Sequence, residues 1–219
     1  MRYIDKWKLF ESTDTSDKTR SRSERLLSQA QVEYKDELRV NTNLPTMVFT
    51  DVEGSSKMWS DDPVKMMNQL EGHHSLVEST SEKYQGWIVK TIGDAFMVYF
   101  EPGPNSLLNA LKFSKDLLLN EKRYNLRIGV CQGPMEEKTY RIQKVDLRDF
   151  YGNAVNVASR MESKVSEKAG TIAFSTVNNL TQNQLSLISK TIGDIEKVDL
   201  QKYELRGASI STAYKIKIK

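Results

Sequence analysis

Two apolar, β-rich runs joined by a tight turn constrain the fold of this chain more than any other feature. The runs are Trp87-Ile-Val-Lys-Thr and Ala95-Phe-Met-Val-Tyr-Phe100, and Ile92-Gly93-Asp94 links them. β-Branched and aromatic runs separated by a Gly-Asp turn predict a β-hairpin. Because a hairpin puts two antiparallel strands into one sheet, a regular doubly wound parallel sheet is not predicted.

Strands and helices are predicted to alternate along the rest of the chain. Met47-Val-Phe-Thr is typical of a buried strand, and Asp61-Asp62-Pro63 predicts the start of a helix running to about Tyr84. The other predicted segments are a leucine-rich helix after Pro104, a strand at 126–131, a charged hairpin arm at 134–148, a helix at 153–164, a strand at 170–175, a helix to about 187 and strands at 202–206 and 212–218. This order predicts an α+β fold with a mixed or antiparallel sheet.

The length and the polarity pattern predict one main domain with an extension. A chain of 219 residues suits one domain plus a short additional segment. Residues 1–45 form a polar extension, in which a weak apolar stripe from 23 to 40 predicts a short helix. We expect this extension to be a linker or a dimer clasp, and residues 46–219 to form the main domain.

Composition argues against several classes of function. Lys and Arg number 32 against 29 Asp and Glu, a net charge of +3, which is too small for a nucleic-acid-binding surface. The one cysteine, Cys131, excludes an intrachain disulfide. His73 and His74 are expected to be surface or partly buried residues and not metal ligands. No apolar run approaches the roughly 20 residues of a membrane span, so we expect a cytoplasmic protein without membrane or nucleic-acid partners.

The segment Phe49-Thr-Asp-Val-Glu-Gly-Ser-Ser56 has the composition of a phosphate-binding turn after a strand. Backbone N–H groups around Gly54, Ser55 and Ser56 could converge on phosphate oxygens. Asp51 beside such a turn has the hard oxygen atoms that Mg²⁺ prefers. Taken alone, the segment agrees as well with ordinary turn chemistry.

Two other segments carry polar residues that could also act on a metal ion or a phosphate. Asp94 lies in the hairpin turn, and it would meet Asp51 if the first strand lay between the two hairpin strands. Two carboxylates there could hold two Mg²⁺ ions about 3.5–4 Å apart. Asn156 and Arg160 are four residues apart, so they share one face of a predicted helix. From the residues alone, that face is either solvated or faces a phosphate.

Four blocks together resemble the catalytic domain of class III nucleotide cyclases, the adenylyl and guanylyl cyclase family. They are Phe49-Thr-Asp-Val-Glu-Gly-Ser-Ser, Lys90-Thr-Ile-Gly-Asp-Ala-Phe-Met, Arg127-Ile-Gly-Val-x-x-Gly and Tyr151-Gly-Asn-x-Val-Asn-x-Ala-Ser-Arg-Met-Glu. The resemblance covers about residues 46–218. It implies a ferredoxin-like βαββαβ core with a mixed or antiparallel sheet and extra C-terminal strands.

The resemblance also implies a metal and phosphate site. Asp51 and Asp94, with the backbone carbonyl of Val52, match the ligands of two Mg²⁺ (or Mn²⁺) ions. Residues 52–56, including Gly54, Ser55 and Ser56, match the turn that cradles the β- and γ-phosphates. Arg206 stands where many members carry a lysine for the terminal phosphates.

The remaining matches concern the nucleoside and the transition state. Lys90 and Asp149, followed by Phe150, match the residues that read the purine, and a Lys–Asp pair resembles the adenylyl type, whereas guanylyl cyclases typically carry Glu and Cys. Asn156 matches the residue that orients the ribose. Arg160 matches the one that stabilises the pentavalent transition state.

The implied activity is conversion of ATP to 3′,5′-cyclic AMP and pyrophosphate by two-metal catalysis. Because one chain carries every matched residue, the resemblance implies a homodimer with two composite sites, and an upstream sensor domain absent from this sequence is compatible with it. The alternatives are a cyclase for GTP or a pyrimidine nucleotide, and a catalytically silent nucleotide-binding regulatory domain.

Overall fold

A computed structural model describes residues 44–142, 144–166, 170–203 and 205–218. The predicted helix at 23–40 lies outside the described residues. In chain order the elements are β1 (Thr46–Val52), α1 (Ser55–Asp61), α2 (Pro63–Lys83), β2 (Gly86–Ile92), β3 (Ala95–Phe100), α3 (Ser106–Asn120), β4 (Leu126–Gln132), β5 (Glu136–Ile142), β6 (Val145–Tyr151), α4 (Asn153–Arg160), β7 (Thr171–Thr176), α5 (Gln182–Thr191), β8 (Asp194–Lys197) and β9 (Ala213–Lys217).

A seven-stranded sheet in the order β2-β3-β1-β4-β7-β9-β8 forms the centre of the fold. The segment from β1 to β4 has βαββαβ connectivity with the strand order of a ferredoxin-like core. β4 and β7 are parallel, while the other neighbouring strands are antiparallel. The predicted α+β fold, with a mixed sheet and additional C-terminal strands, is therefore confirmed.

The predicted hairpin is confirmed as β2 and β3, with Ile92 paired to Ala95 across a two-residue turn. Gly93 adopts φ 67° in that turn, a left-handed conformation that glycine adopts without strain. The expectation that β1 lies between the two hairpin strands was wrong, because β1 pairs with β3 and β4. A turn this short pairs its own two strands directly and leaves no space for a third.

The sheet is covered on both faces. One face packs against α2, α3 and α5 through a core that includes Val48, Leu111 and Ile188. The other face packs against α4. A Cβ atom at Gly129 would lie 2.1 Å from the backbone nitrogen of Glu162, so the absence of a side chain on β4 allows the chain after α4 to approach the sheet.

The predicted charged arm is confirmed as a separate two-stranded sheet, β5 and β6. Its apolar side chains Ile142, Val145 and Leu147 are exposed. No helix in the described part of the chain combines the length and the apolar character needed to cross a bilayer.

Two other predictions about local structure need correction. The strand predicted at 202–206 was wrong: residues 200–202 form a 3₁₀ turn, in which the Asp199 side chain accepts a hydrogen bond from the Gln201 N–H at 3.2 Å, and a turn follows at 205–208. Such local side-chain bonding competes with strand pairing. The helix start near Asp62 is confirmed, since Asp62 accepts a hydrogen bond from the Lys65 N–H at 2.9 Å, but α1 before it was not predicted.

His73 is completely buried, whereas a surface or partly buried position was expected. Its Nδ1 lies 2.8 Å from Oε2 of Glu121, whose side chain is also buried. Glu121 follows α3 and accepts a further hydrogen bond from the Arg123 backbone N–H at 2.8 Å. This pairing joins α2 to the end of α3 over 48 residues, so nothing in the local sequence around His73 indicates it.

Replacing His73 by alanine is expected to destabilise the fold by about 2–4 kcal/mol, because a buried carboxylate loses a partner and a cavity forms. Urea unfolding should show this loss. Lys57→Ala is the control, since it removes an exposed ion pair with Asp61 and should cost at most about 1 kcal/mol. Equal losses in the two variants would contradict a stabilising role for the His73–Glu121 contact.

Candidate active site

The end of β1 and the β2–β3 turn form one corner of the sheet. Asp51 is the second-last residue of β1, and Asp94 lies in the turn. The backbone N–H of Val52 donates a hydrogen bond to Oδ2 of Asp94 at 3.3 Å, and Asp94 is 7% exposed. The structure thus brings together the two aspartates and the Val52 backbone that were predicted to bind metal.

Arg127 completes this corner and had no predicted role. The register of β1 and β4 pairs Asp51 with Arg127, and the Arg127 guanidinium forms an ion pair with the Asp51 carboxylate. The block containing Arg127 was recognisable in the sequence. Its contact with Asp51 was not, because it depends on how two strands 76 residues apart are aligned.

Glu162 is a second residue whose position the sequence did not indicate. Its Oε1 lies 3.1 Å from Nε of Arg127, a distance for an ion pair, although the two atoms are not aligned for a hydrogen bond. Burial raises the pKa of the Glu162 carboxyl to about 7; the Arg127 guanidinium lowers it by less, and Asp51 raises it further. The Arg127 guanidinium therefore lies between the carboxyl groups of Asp51 and Glu162.

The predicted phosphate-binding turn leads directly into α1. Gly54 adopts φ 74° at the start of this helix, a conformation that favours glycine. Its carbonyl accepts hydrogen bonds from the N–H groups of Lys57 and Met58 at 3.0 and 3.2 Å. Ser55 is half-buried and Ser56 exposed. The segment therefore forms a turn, and a helix that the sequence did not indicate follows it directly.

The two predicted purine-reading residues are in contact. Nζ of Lys90, on β2, lies 2.6 Å from Oδ2 of Asp149, on β6. Asp149 also accepts hydrogen bonds from the Phe150 N–H at 2.9 Å and the Tyr151 hydroxyl at 3.1 Å. Burial tends to raise the pKa of Asp149, but these three donors, Lys90 first, offset it and lower the pKa below its usual value.

Phe150 supports this pair from the core. Its ring is 3% exposed and stacks on Tyr99 with centroids 4.0 Å apart. The buried stack holds the end of β6 against the main sheet, while the Phe150 backbone N–H orients the Asp149 carboxylate. Phe150 was predicted to bind substrate, but its ring packs in the core next to Tyr99.

The third set of predicted residues lies on and beside α4. Asn156 is exposed, and Arg160, one turn further along, donates a hydrogen bond from Nε to the backbone carbonyl of Arg206 at 3.2 Å. Among the residues described, no hydrogen bond or ion pair joins Asp51 or Asp94 to Asn156 or Arg160. Within one chain, the predicted ribose and transition-state residues are therefore not bonded to the predicted metal ligands.

The chemistry of the corner fits hard divalent cations. Carboxylate and carbonyl oxygens are the ligands that Mg²⁺ and Mn²⁺ prefer. In the described part of the chain, no group of three or more His, Cys, Asp or Glu side chains is placed to hold a metal ion. A metal site at this corner would therefore depend on two carboxylates with backbone and substrate oxygens.

The sheet order and these residue sets define a class III nucleotide cyclase fold. The family profile described as "Adenylate and Guanylate cyclase catalytic domain" matches residues 40–217, and the chain belongs to this family. Members of the family generally use divalent metal ions.

Curated relatives include adenylate cyclases from fungi. The one from Schizosaccharomyces pombe is 31% identical over 183 residues, which cover 73% of this chain and 10% of the relative. The one from Podospora anserina is 29% identical over 151 residues, which cover 58% of this chain and 7% of the relative. The chain thus spans about a tenth or less of the length of these relatives.

Solved structures show the same fold. The guanylate cyclase domain of RhGC from Catenaria anguillulae, solved in complex with GTP, has a TM-score of 0.66 at 24% identity and covers 81% of this chain and 98% of that chain. A domain from Blastocladiella emersonii, described as a non-canonical dimer, has a TM-score of 0.62 at 22% identity and covers 80% of this chain and 96% of that chain. Solved cyclase domains thus include dimeric forms.

The raised pKa of Glu162 leads to a pH-dependent stability. Below about pH 4.5 the carboxyl is protonated in both states. Between pH 4.5 and 7 it ionises in the unfolded chain while the folded chain keeps the proton, so the free energy of unfolding falls as pH rises, by on the order of 2 kcal/mol. Above pH 7 this contribution stays constant.

Urea unfolding of metal-free protein at pH 5 and pH 8 tests this effect. The Glu162→Gln variant should lose less stability between these two values than the wild type. Glu137→Gln, a change on the exposed arm, should behave like the wild type. Equal losses in wild type and Glu162→Gln would contradict the assignment.

Proposed function

We propose that this chain is an adenylyl cyclase domain that converts ATP to 3′,5′-cyclic AMP and pyrophosphate. The observation that carries the proposal is the contact between Lys90 and Asp149, 2.6 Å apart in a family member. The fungal relatives named adenylate cyclase support the same substrate.

The Lys90–Asp149 pair suits the edge of adenine. The ammonium of Lys90 can donate a hydrogen bond to the acceptor N1, and the carboxylate of Asp149 can accept one from the 6-amino group. Each charge is compensated by the other before substrate binds. A base with an acceptor facing Lys90 and a donor facing Asp149 replaces their charge-assisted contact by two hydrogen bonds. A base without this pattern leaves polar groups unpaired, which costs binding free energy.

The corner formed by Asp51, Asp94 and the Val52 carbonyl, the metal corner, would supply the metal ions for the reaction. Asp51, Asp94 and the Val52 carbonyl would hold two divalent cations, which when bound lower the pKa of the ribose 3′-hydroxyl and compensate charge on the triphosphate. Arg127 compensates the charge of Asp51 in the chain itself, so cation binding must compete with this ion pair. The backbone around Gly54 would bind the β- and γ-phosphates.

The α4 residues act on the ribose and the reacting phosphate. Asn156 is exposed on α4 and would orient the ribose. Arg160 uses Nε to bind the Arg206 carbonyl, and its terminal N–H groups would stabilise charge developing on the α-phosphate oxygens. In the in-line reaction, the 3′-oxygen bonds to the α-phosphorus, its proton passes to solvent, and the bond to the pyrophosphate oxygen breaks.

A homodimer would assemble these groups into complete sites. A two-fold arrangement would bring the metal corner of one chain to the α4 residues of the other, twice per dimer. A solved domain of the same fold also forms a dimer, one described as non-canonical.

A product assay with complementary variants tests both the activity and the composite site. Wild-type protein with ATP and Mg²⁺ or Mn²⁺ should give cyclic AMP, whereas Asp51→Ala and Arg160→Ala should each lose activity by about 100-fold or more. Mixing the two inactive variants should restore about a quarter of the wild-type rate, because half of the dimers are mixed and each has one intact site.

The nucleotide must also be varied in this assay. GTP, CTP and UTP should give no cyclic product, and Lys57→Ala should retain full activity. If mixing restores activity with a nucleotide other than ATP, the substrate assignment would change and the composite two-metal mechanism would stand. Failure of mixing to restore activity would contradict the composite homodimeric site. No cyclic product from any nucleotide would contradict the cyclase assignment and favour a regulatory domain.

The base-reading role of Lys90 and Asp149 has its own test. The double variant Lys90→Glu, Asp149→Cys should lower kcat/KM for ATP relative to GTP by at least about 100-fold, because the donor and acceptor that match adenine are removed. The control is Lys65→Glu, a charge reversal at an exposed residue of α2. An unchanged ratio would show that other residues select the base.

A further inference from the structure

Arg206 lies in a sharply defined turn. The N–H of Ala208 donates a hydrogen bond to the carbonyl of Leu205 at 3.1 Å, and Gly207 adopts φ 74° at the third position. This combination is typical of a type II turn, which needs glycine at that position. Arg206 is therefore presented at the second position of a short turn, and its direction depends on how residues 205–211, the Arg206 loop, are held.

Asn153 holds this loop through both atoms of its side-chain amide. Its Nδ2 donates a hydrogen bond to the Ser209 carbonyl at 2.8 Å, and its Oδ1 accepts one from the Ser209 N–H at 2.8 Å. Two short bonds to the same residue fix both its position and its orientation. Asn153 is the first residue of α4 and lies 56 residues from Ser209, so this is a long-range contact.

A second bond ties the loop to the other end of the same helix. Nε of Arg160 donates to the Arg206 carbonyl at 3.2 Å. Arg160 is seven positions after Asn153 in the helix, about 10 Å along the axis. The loop is therefore attached at two points of a rigid element, and the same helix carries Asn156 and Arg160.

Packing under the Ser209 end of the loop is incomplete. A cavity of about 240 Å³ is lined by Ser209, Ile210 and Ser211 from the loop, by Asn153 from α4 and by Gln132 and Thr176 from the ends of β4 and β7. Ala208 and Ile210, on either side of Ser209, pack against the core. The Ser209 backbone itself is held by the two hydrogen bonds of the Asn153 amide.

We propose that Asn153 is a positioning residue that fixes the Arg206 loop so that Arg206 meets the terminal phosphates of the nucleotide. This inference rests on the proposed function, because that function gives Arg206 its phosphate role. Asn153 itself touches no substrate in this account and acts through the loop. An asparagine is required because the Ser209 contact needs a donor and an acceptor on one short side chain.

Two substitutions separate the contributions of the amide. Asn153→Ala removes both hydrogen bonds. Asn153→Asp keeps an acceptor for the Ser209 N–H but replaces the donor by an oxygen that faces the Ser209 carbonyl. The matched control is Asn120→Ala, since Asn120 is an exposed asparagine whose amide bonds the Asp116 carbonyl of its own helix.

The two hydrogen bonds between Asn153 and Ser209 form a clamp on the Arg206 loop. Hydrogen exchange of the Ser209 amide tests this clamp independently of activity. We expect exchange to be about tenfold faster in Asn153→Ala than in wild type or Asn120→Ala, because the acceptor is lost. Asn153→Asp should lie between them. Unchanged exchange in Asn153→Ala would overturn the proposal at this first step.

Kinetics then test whether the clamp matters to the nucleotide. Asn153→Ala should raise the KM for ATP about fivefold to tenfold with a small change in kcat, as expected for lost binding that is equal in ground and transition states. Arg206→Ala should show a loss of the same kind, and the double variant should be no worse than Arg206→Ala alone. Asn153→Asp should restore part of the affinity.

The outcomes distinguish this proposal from the proposed function. Faster Ser209 exchange with wild-type KM, or additive effects in the double variant, would overturn the positioning role while leaving the cyclase intact. If wild-type protein makes no cyclic nucleotide, calorimetric binding of inorganic tripolyphosphate takes the place of KM. Weaker binding in both Asn153→Ala and Arg206→Ala would then support the clamp, and unchanged binding in Asn153→Ala would overturn it.

Discussion

The pairing of β1 with β3 on one side and β4 on the other is the constraint on which the candidate site depends. β1 pairs with five residues of β3 and seven of β4. Its end therefore lies beside the β2–β3 turn and beside the start of β4. Asp51, Asp94 and Arg127 come from three separate segments of the chain and meet only because these strands are in this register. A shift by one residue would turn Asp51 to the opposite face of the sheet.

Charge compensation within the chain is the second common feature of the site. Arg127 balances Asp51, and Lys90 balances Asp149. Such pairs keep the functional side chains ordered without leaving a charge unpaired at a partly buried position. A ligand of the proposed kind would replace these existing ion pairs with its own polar contacts, which favours specificity over affinity. Burial tends to raise the pKa of both Asp149 and Glu162. The donors around Asp149 bring its pKa below the usual value, whereas Arg127 only partly offsets the effect of burial on Glu162.

α4 connects the sheet to the residues proposed to bind the nucleotide and to stabilise the transition state. It packs on the sheet through Ala154, Val157 and Ala158, and its approach is possible because Gly129 has no side chain. Its opposite face carries Asn156 and Arg160, and its two ends hold the Arg206 loop. One rigid helix therefore sets the relative positions of three side chains proposed to contact the nucleotide, which is how a site is kept within a fraction of an ångström of a productive geometry.

The sequence by itself determined the elements whose signals are local. Alternating apolar runs, a Gly-Asp turn and a capped helix start predicted β1, the hairpin and α2, and four spaced blocks indicated the family. The tertiary structure decided what depends on distant pairing: Arg127 against Asp51, His73 against Glu121 and Asn153 against Ser209. The strand expected at 202–206 failed for a related reason, since a β-rich composition does not reveal that Asp199 and Gly207 favour turns there. Local propensity is a property of neighbouring residues, whereas register and helix packing bring together groups that the sequence holds tens of residues apart.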